Sequence, residues 1–299
     1  MTLVLAVVLW GASNAGTKFL LGYWPPVLTG ALRFLAAGVL LQVALGWAGR
    51  IRPQRDFEPG VQRALWLRTG LVLALYIVVF QWAIHLVPVS HVALYLGAAP
   101  VWAVLWENGW RWDRVAAVRY AAALLALGGV VLLFLPALQG DRSAWPGEVL
   151  GFASSGIWTW YGRECGKLGT RLSGAEITAH TMWRAGLWLV VPGLLELRTA
   201  SLPLSTPLLL VQGYCIVGGG VVAYWLWNHA LRCWPTSRVY LFNNLIPVST
   251  MTWAHLTLGE PITSTFGLAM GLIITGVVVG QGWGGSGSPP GPLRGNQER

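Results

Sequence analysis

The run Pro88-Val89-Ser90-His91-Val92-Ala93-Leu94-Tyr95-Leu96-Gly97-Ala98-Ala99-Pro100 returns 147 residues later as Pro235-Thr236-Ser237-Arg238-Val239-Tyr240-Leu241-Phe242-Asn243-Asn244-Leu245-Ile246-Pro247. Pro88, Ser90 and Pro100 recur as Pro235, Ser237 and Pro247. Upstream, Gln81 and Ala83 recur as Asn228 and Ala230; downstream, Asp113 falls where Glu260 does. Both copies lie in strongly apolar sequence. A duplicated apolar domain is a construction common among membrane carriers.

Composition agrees with a membrane setting. Of 299 residues, 55% are apolar and only 10% charged, against about 25% charged in a soluble domain. Nineteen tryptophans and thirty-eight glycines suit a bilayer, where Trp gathers at the interfaces and Gly lets helices approach closely. The net charge of +9 does not indicate nucleic acid, because the arginines fall between apolar blocks and form no basic stripe. Cys165, Cys215 and Cys233 are scattered without metal-ligand spacing and are expected to be buried free thiols. No basic region precedes the first apolar stretch, so a cleaved signal peptide is not expected.

Segments near 2–21, 26–48, 64–86, 88–107, 115–135, 147–165, 174–195, 207–231, 235–258 and 263–282 are each long enough to cross about 30 Å of hydrocarbon as a helix. The predicted fold is therefore all-α, with ten transmembrane helices. Residues 1–135 and 147–282 form its two five-helix repeats, and the Gly/Ser/Pro-rich tail 283–299 is read as disordered. Pro26, Pro88, Pro235 and Pro261 stand at helix starts, where a missing N–H costs least. Pro100 and Pro247 lie deep inside the fourth and ninth segments and are expected to kink them, as hinge or gating points.

Charge orients the chain. With both termini cytoplasmic, the inner side holds Arg50, Arg52, Arg55, Arg63, Arg68, Arg111, Arg114, Arg119, Arg163, Lys167, Arg171, Arg232, Arg238, Arg294 and Arg299, and the outer side only Arg142 and Arg198. That asymmetry is a strong positive-inside signal and supports an even number of spans. Five helices per half is odd, so the second half is predicted to insert upside down relative to the first. Arg33 and Arg184 fit the same duplication at an offset of 151.

The opening Val7-Val8-Leu9-Trp10-Gly11-Ala12-Ser13, the pair Arg33-Phe34, and Tyr240 to Pro247 followed by Leu258-Gly259-Glu260-Pro261 resemble an EamA-type carrier of the drug/metabolite transporter superfamily. The resemblance spans residues 1 to about 282, with Trp112-Asp113 in the first copy departing from Gly259-Glu260 in the second. It implies a multi-pass carrier of the cell inner membrane, with a central cavity and alternating access. Amino acids, other metabolites or drugs are the implied cargo, and a nucleotide-sugar branch exists. Mid-segment Trp and Tyr residues direct the expectation toward amino acids, aromatic ones included.

A solute crossing the bilayer needs a midplane cavity lined with partners for its polar groups. Trp10 and Asn14 share a face of the first helix, as Tyr76 and Phe80 do on the third, ahead of Gln81. Tyr224 and Asn228 hold matching places in the eighth. Tyr95 and Trp102 flank Pro100; Asn243 precedes Pro247. Trp158, three residues before Tyr161, offers an aromatic face, although Tyr161 also suits an interfacial belt. His85 and His91 lie near the outer helix ends. Trp10, Asn14, Tyr76, Phe80, His85, Tyr95, Trp102, Trp158, Tyr224, Asn228 and Asn243 are the substrate-binding candidates. Lys18, Arg33 and Arg184 are read as snorkelling or paired anchors.

No cofactor, metal or catalytic residue is expected. No HExxH, Walker or dinucleotide motif is present, and no nucleophile–base pair gathers at one face. Mid-segment carboxylates are nearly absent, which gives no direct support to proton coupling. The expected partners are a small-molecule substrate and the lipid bilayer, with no nucleic acid and the chain acting as a monomer.

Overall fold

Proline and short polar residues start the helices. Pro25 is extended (φ −63°, ψ 143°) and leads into a helix that begins at Pro26. Ser173 and Glu176 close a reciprocal capping box, each side chain bonding the other residue's N–H. The computed structural model describes residues 2–87, 92, 95–108, 113–134, 145–249, 252 and 264–282. Regular structure among these residues is entirely helical.

The first half contributes α1 (Thr2–Leu21), α2 (Pro26–Trp47), α3 (Pro59–Leu86), α4 (Ala99–Asn108) and α5 (Arg114–Phe134). The second contributes α6 (Trp145–Leu168), α7 (Gly174–Glu196), α8 (Thr206–Cys233), α9, which runs from Thr236–Tyr240 through the 3-10 turn Leu241–Asn244 into 245–249, and α10 (Ser264–Gly282). Five of them are long and apolar enough to cross a membrane: α1, α2, α3, α5 over Arg114–Leu132, and α8. α6 and α7 have the length, 24 and 23 residues, but carry buried polar groups such as Ser154, Thr159, His180 and Arg184. Those groups face protein, the placement that polar residues in a membrane helix require.

Two expectations shift. α3 starts at Pro59, five residues before the apolar run, so the 49–63 connection already contains a helix start and a 3-10 turn at Gln54–Asp56. The fourth segment is not one kinked helix: Gly97 and Ala98 form a turn, and Pro100 is the second residue of α4. The missing N–H of Pro100 therefore falls in a first turn, where no intrahelical partner is lost. In α9 the disturbance does sit inside the segment, as the 3-10 turn just ahead of Pro247. Pro88, Ser90, His91, Glu260, Pro261 and the tail 283–299 lie outside the described residues.

Packing couples the halves. α1 lies on α8, α2 on α7, α3 on α6, α4 on α9 and α5 on α10. Exchanging each helix for the one five places along maps this set of pairs onto itself. The closest seam is α2–α7: a Cβ on Gly38 would stand 2.3 Å from the backbone N of Trp183, and one on Gly186 would stand 2.6 Å from Leu35. Glycine is required there because backbone meets backbone. α3 and α8 share a further feature, a π-helical stretch at Ala64–Gly70 and at Cys215–Val222, of the kind that often marks functional sites. Val39, Leu40, Val43, Leu75, Val191, Leu194, Leu210, Val217 and Val278 point outward, an apolar surface suited to lipid. The three cysteines are free; Cys165 and Cys215 are buried, but Cys233, at the end of α8, is exposed.

Candidate functional site

Both halves line one chamber. Its walls are Trp10, Asn14 and Thr17 of α1, Arg33 and Phe34 of α2, Tyr76, Ile77, Phe80 and Gln81 of α3, Leu96 before α4, Trp158 of α6, Tyr224 of α8, and Asn243 and Ile246 of α9. Its volume is about 50 Å³, above the 10–15 Å³ a single water needs. A smaller annex shares Asn14, Phe80, Leu96, Asn243 and Ile246 and continues past Ile84, Val92 and Pro247.

The prolines bear on this wall. In α9 the N–H missing at Pro247 leaves the Asn243 carbonyl without its donor four residues on; in the first half the break is the Gly97–Ala98 turn, directly after the equivalent residue Leu96. Both residues line the chamber. They are equivalent in the repeat, so the duplication places one backbone irregularity on each side of the same space.

Trp158 is the floor. Its ring stacks on Tyr161 (centroids 5.3 Å apart) and Trp227 (5.9 Å), tilts over Tyr76 (4.9 Å) and Tyr240 (5.8 Å), and meets Trp10 (5.5 Å) and Tyr224 (5.7 Å) edge-on. The Tyr240 hydroxyl donates to the Trp158 carbonyl. That ring fits only because residue 162 is glycine; a Cβ there would stand 2.2 Å from the Tyr240 oxygen. Beneath the floor, Asn228 donates to the Tyr161 hydroxyl (3.2 Å) and to Thr178 (2.9 Å). Tyr161 is fully buried, which removes it from any interfacial belt. The aromatic plug separates the chamber from the end of the molecule that carries most of the arginines.

Carboxylates at that basic end join one half to the other. Arg171 pairs with Glu58 (2.7 Å), Arg52 with Glu176 (3.2 Å), and Glu164 reaches Arg68 at 4.0 Å while also pairing within its own helix with Lys167 (2.5 Å). Glu107 of α4 accepts from the backbone N–H (2.8 Å) and hydroxyl (2.6 Å) of Ser237 at the start of α9, and meets Arg119 at 3.3 Å. At the opposite end the annex extends the chamber past Ile84, near the end of α3.

Of the candidates read from sequence, Trp10, Asn14, Tyr76, Phe80, Trp158, Tyr224 and Asn243 meet in the chamber. Asn228 lies beneath its floor. His85 is exposed beside Trp82 (ring centroids 5.6 Å apart), in a separate open cleft with Tyr23 and Glu196. Tyr95 packs against Gly151 and Phe152, and Trp102 donates to Ser155 (3.1 Å). Pro247 lines the annex. The sequence reading missed Thr17, Arg33, Phe34, Ile77, Leu96 and Ile246 as wall residues. Only the Arg33-Phe34 pair carries a signal in the sequence, as part of the family resemblance, and there Arg33 reads as an anchor.

The fine shape of the wall is testable at Gly30. A Cβ there would reach within 2.3 Å of Gln81 Nε2, the end of a flexible side chain, and 2.6 Å of Ile77 Cγ2, the branch of a stiff and buried one. Gly30→Ala is expected to lower the thermal midpoint, because overpacking against Ile77 costs about 1–3 kcal/mol, and to weaken substrate binding several-fold, measured as the Kd of the purified protein. Unchanged affinity would separate Gln81 from recognition.

Comparison with known proteins follows the same division. The sequence model of the EamA-like transporter family matches residues 1–135 and again residues 145–279. The chain belongs to the EamA-like transporter family. This EamA-like protein is a multi-pass membrane transporter, not an enzyme. It is similar to the "Probable amino-acid metabolite efflux pump" of Escherichia coli (strain K12), 24% identical with 92% of each chain covered. It is also similar to the "Probable terminal-alkyne amino-acid exporter" of Streptantibioticus cattleyicolor, 24% identical over 90% of this chain and 89% of that one. A solved crystal structure shares the fold with a TM-score of 0.75 at 20% identity, covering 92% of this chain and 94% of the other.

Proposed function

We propose that this transporter carries small amino-acid-type metabolites, aromatic ones included, across the inner membrane by alternating access. In this reading ten spans form two inverted repeats, the termini and the arginine-rich end face the cytoplasm, and the two halves rock about the chamber. The chamber wall carries the proposal: Trp10, Tyr76, Phe80, Trp158 and Tyr224 supply ring faces, and Asn14, Gln81 and Asn243 supply amides. Ring faces hold an apolar side chain, with about 1 kcal/mol per aromatic pair beyond area burial. Amides satisfy polar groups that would otherwise be stranded. The names of two relatives, each including an amino-acid cargo and export, support the same class.

In this reading the aromatic plug and the ion pairs close the cytoplasmic end, and the annex, which runs the other way past Ile84, Val92 and Pro247, marks the side from which a solute would approach. Among the described residues none that lines the chamber is acidic, so the chamber wall gives no direct support to proton coupling, and facilitated diffusion or exchange is equally compatible with it. A nucleotide sugar would require cations for at least two phosphates; among the lining residues there is one, Arg33.

Flux in proteoliposomes tests this. Radiolabelled aromatic amino acids are expected to saturate at lower concentration than small aliphatic ones, and an imposed pH gradient separates proton coupling from facilitated diffusion or exchange. Equal transport of both classes would refute the aromatic preference. Transport of nucleotide sugars alone would replace the amino-acid reading.

A further inference from the structure

Arg33 and Arg184 occupy corresponding places in the repeat, yet their surroundings differ. Arg184 is fully buried away from the chamber: its guanidinium donates to the His180 carbonyl (2.8 Å) and to Gln54 (3.3 Å) and lies over the rings of Trp183 (4.3 Å) and Trp66 (5.2 Å), while its Nε, like that of Arg33, has no partner among the described residues. Arg33 is 9% exposed and lines the chamber. It donates to the Thr17 hydroxyl at 3.3 Å and lies 5.3 Å from the centroid of Phe34. Its Nε has no partner, and no carboxylate pairs with it among the described residues. The Gly219 backbone lies against its far nitrogen, since a Cβ there would stand 2.7 Å from Nη2. The head group is thus held between α1, α2 and the π-helical stretch of α8.

A buried cation without a counter-charge is unfavourable. What sets Arg33 apart from Arg184 is its place: the Arg184 head group is covered by two tryptophan rings, whereas Arg33 lines the chamber, where a solute can supply the counter-charge. The chamber holds complementary unsatisfied atoms as well: Gln81 Oε1 and both amide atoms of Asn243 lack partners, on side chains 4% and 3% exposed. A fixed cation and unpaired amide oxygens in one small space match the two ends of a zwitterion. The guanidinium fork accepts a carboxylate through paired N–H donors, and amide oxygens accept from an ammonium group.

We propose that Arg33 binds the carboxylate of the transported solute, so that the carrier selects for solutes bearing an anionic group and rejects their decarboxylated amines. This deepens the amino-acid reading and rests on it for the identity of the site. Gln81 and Asn243 face the ammonium end.

The test is equilibrium binding to the purified full-length chain in detergent, with L-phenylalanine, phenylacetate and phenethylamine as probes. L-Phenylalanine and phenylacetate are expected to bind, and phenethylamine to bind at least about 10-fold more weakly, the size expected for a lost charge-assisted hydrogen bond. Arg33→Gln should weaken the two carboxylates by about 10-fold or more and leave phenethylamine unchanged, and Arg33→Lys should recover part of the loss. Phenethylamine binding as tightly as L-phenylalanine to the unmodified protein would overturn the proposal, and this comparison needs no variant to fold. So would an Arg33→Gln protein that keeps full affinity for L-phenylalanine. Binding of phenylacetate without any amino acid would reject the amino-acid reading while supporting the carboxylate role. Binding of none of the three would reject both.

Discussion

Trp158→Ala is expected to abolish substrate binding and to lower the thermal midpoint of the purified protein by more than any other single change in the chamber. The ring makes contact with six other aromatics. Removing a buried Trp costs about 3–5 kcal/mol through lost burial and the cavity left behind. The ring is also the floor of the chamber, so its loss joins the chamber to the space above Tyr161 and Cys165. Cys165 is 1% exposed in the intact plug. In the variant it should become reactive toward a small impermeant thiol reagent applied from the chamber side, with Cys233→Ser as background to silence the exposed thiol. Trp158→Phe should keep Cys165 protected and retain most of the binding. A Trp158→Ala protein with a protected Cys165 and unchanged affinity would show that the plug is neither seal nor binding surface.

Glu107→Gln addresses the other boundary. This carboxylate bonds two donors of Ser237 and faces Arg119, so it ties the end of α4 to the start of α9. Hydrogen bonds to a charged group contribute about 1.5–3 kcal/mol, and the side chain's partial exposure argues for the lower figure. A conformational equilibrium biased by that amount shifts roughly 10-fold. Glu107→Gln is therefore expected to raise the rate of Cys165 labelling from the arginine-rich end about 10-fold while leaving the thermal midpoint nearly unchanged. Slower labelling, or labelling only from the chamber side, would mean that Ser237 and Glu107 do not hold that end closed.

The duplication was legible because proline and serine at fixed offsets leave a mark that survives divergence of the apolar residues between them. Trp10, Asn14, Tyr76, Phe80 and Trp158 were legible as neighbours within helices, since spacings of three and four fix a common face. What spacing cannot give is the helix opposite that face. Trp102 and Tyr95 flank a proline as expected but turn toward Ser155 and Phe152. His85 is separated from the chamber because the C-terminal end of α3 opens toward Trp24 and Glu196. Arg33 was the most consequential omission. An arginine in an apolar segment gives the same sequence signal whether it snorkels, pairs or faces a cavity, and only the packing of α1 and α8 around α2 decides which. The break near Pro100 was displaced for a local reason: Gly97 yields before the proline does, so the helix restarts with Pro100 in its first turn.

The pairing of every first-half helix with one from the second half bears on how the molecule is made. While residues 1–135 are being synthesised, the faces that will meet α6 to α10 have nothing of their own chain to rest on. Lipid must occupy them until the remaining helices arrive and displace it. The α2–α7 contact, with Gly38 against Trp183 and Gly186 against Leu35, then forms as a late zipper between segments that entered the bilayer far apart in time. A chain cut between Phe134 and Trp145 should therefore yield two fragments that are stable only when produced in the same cell.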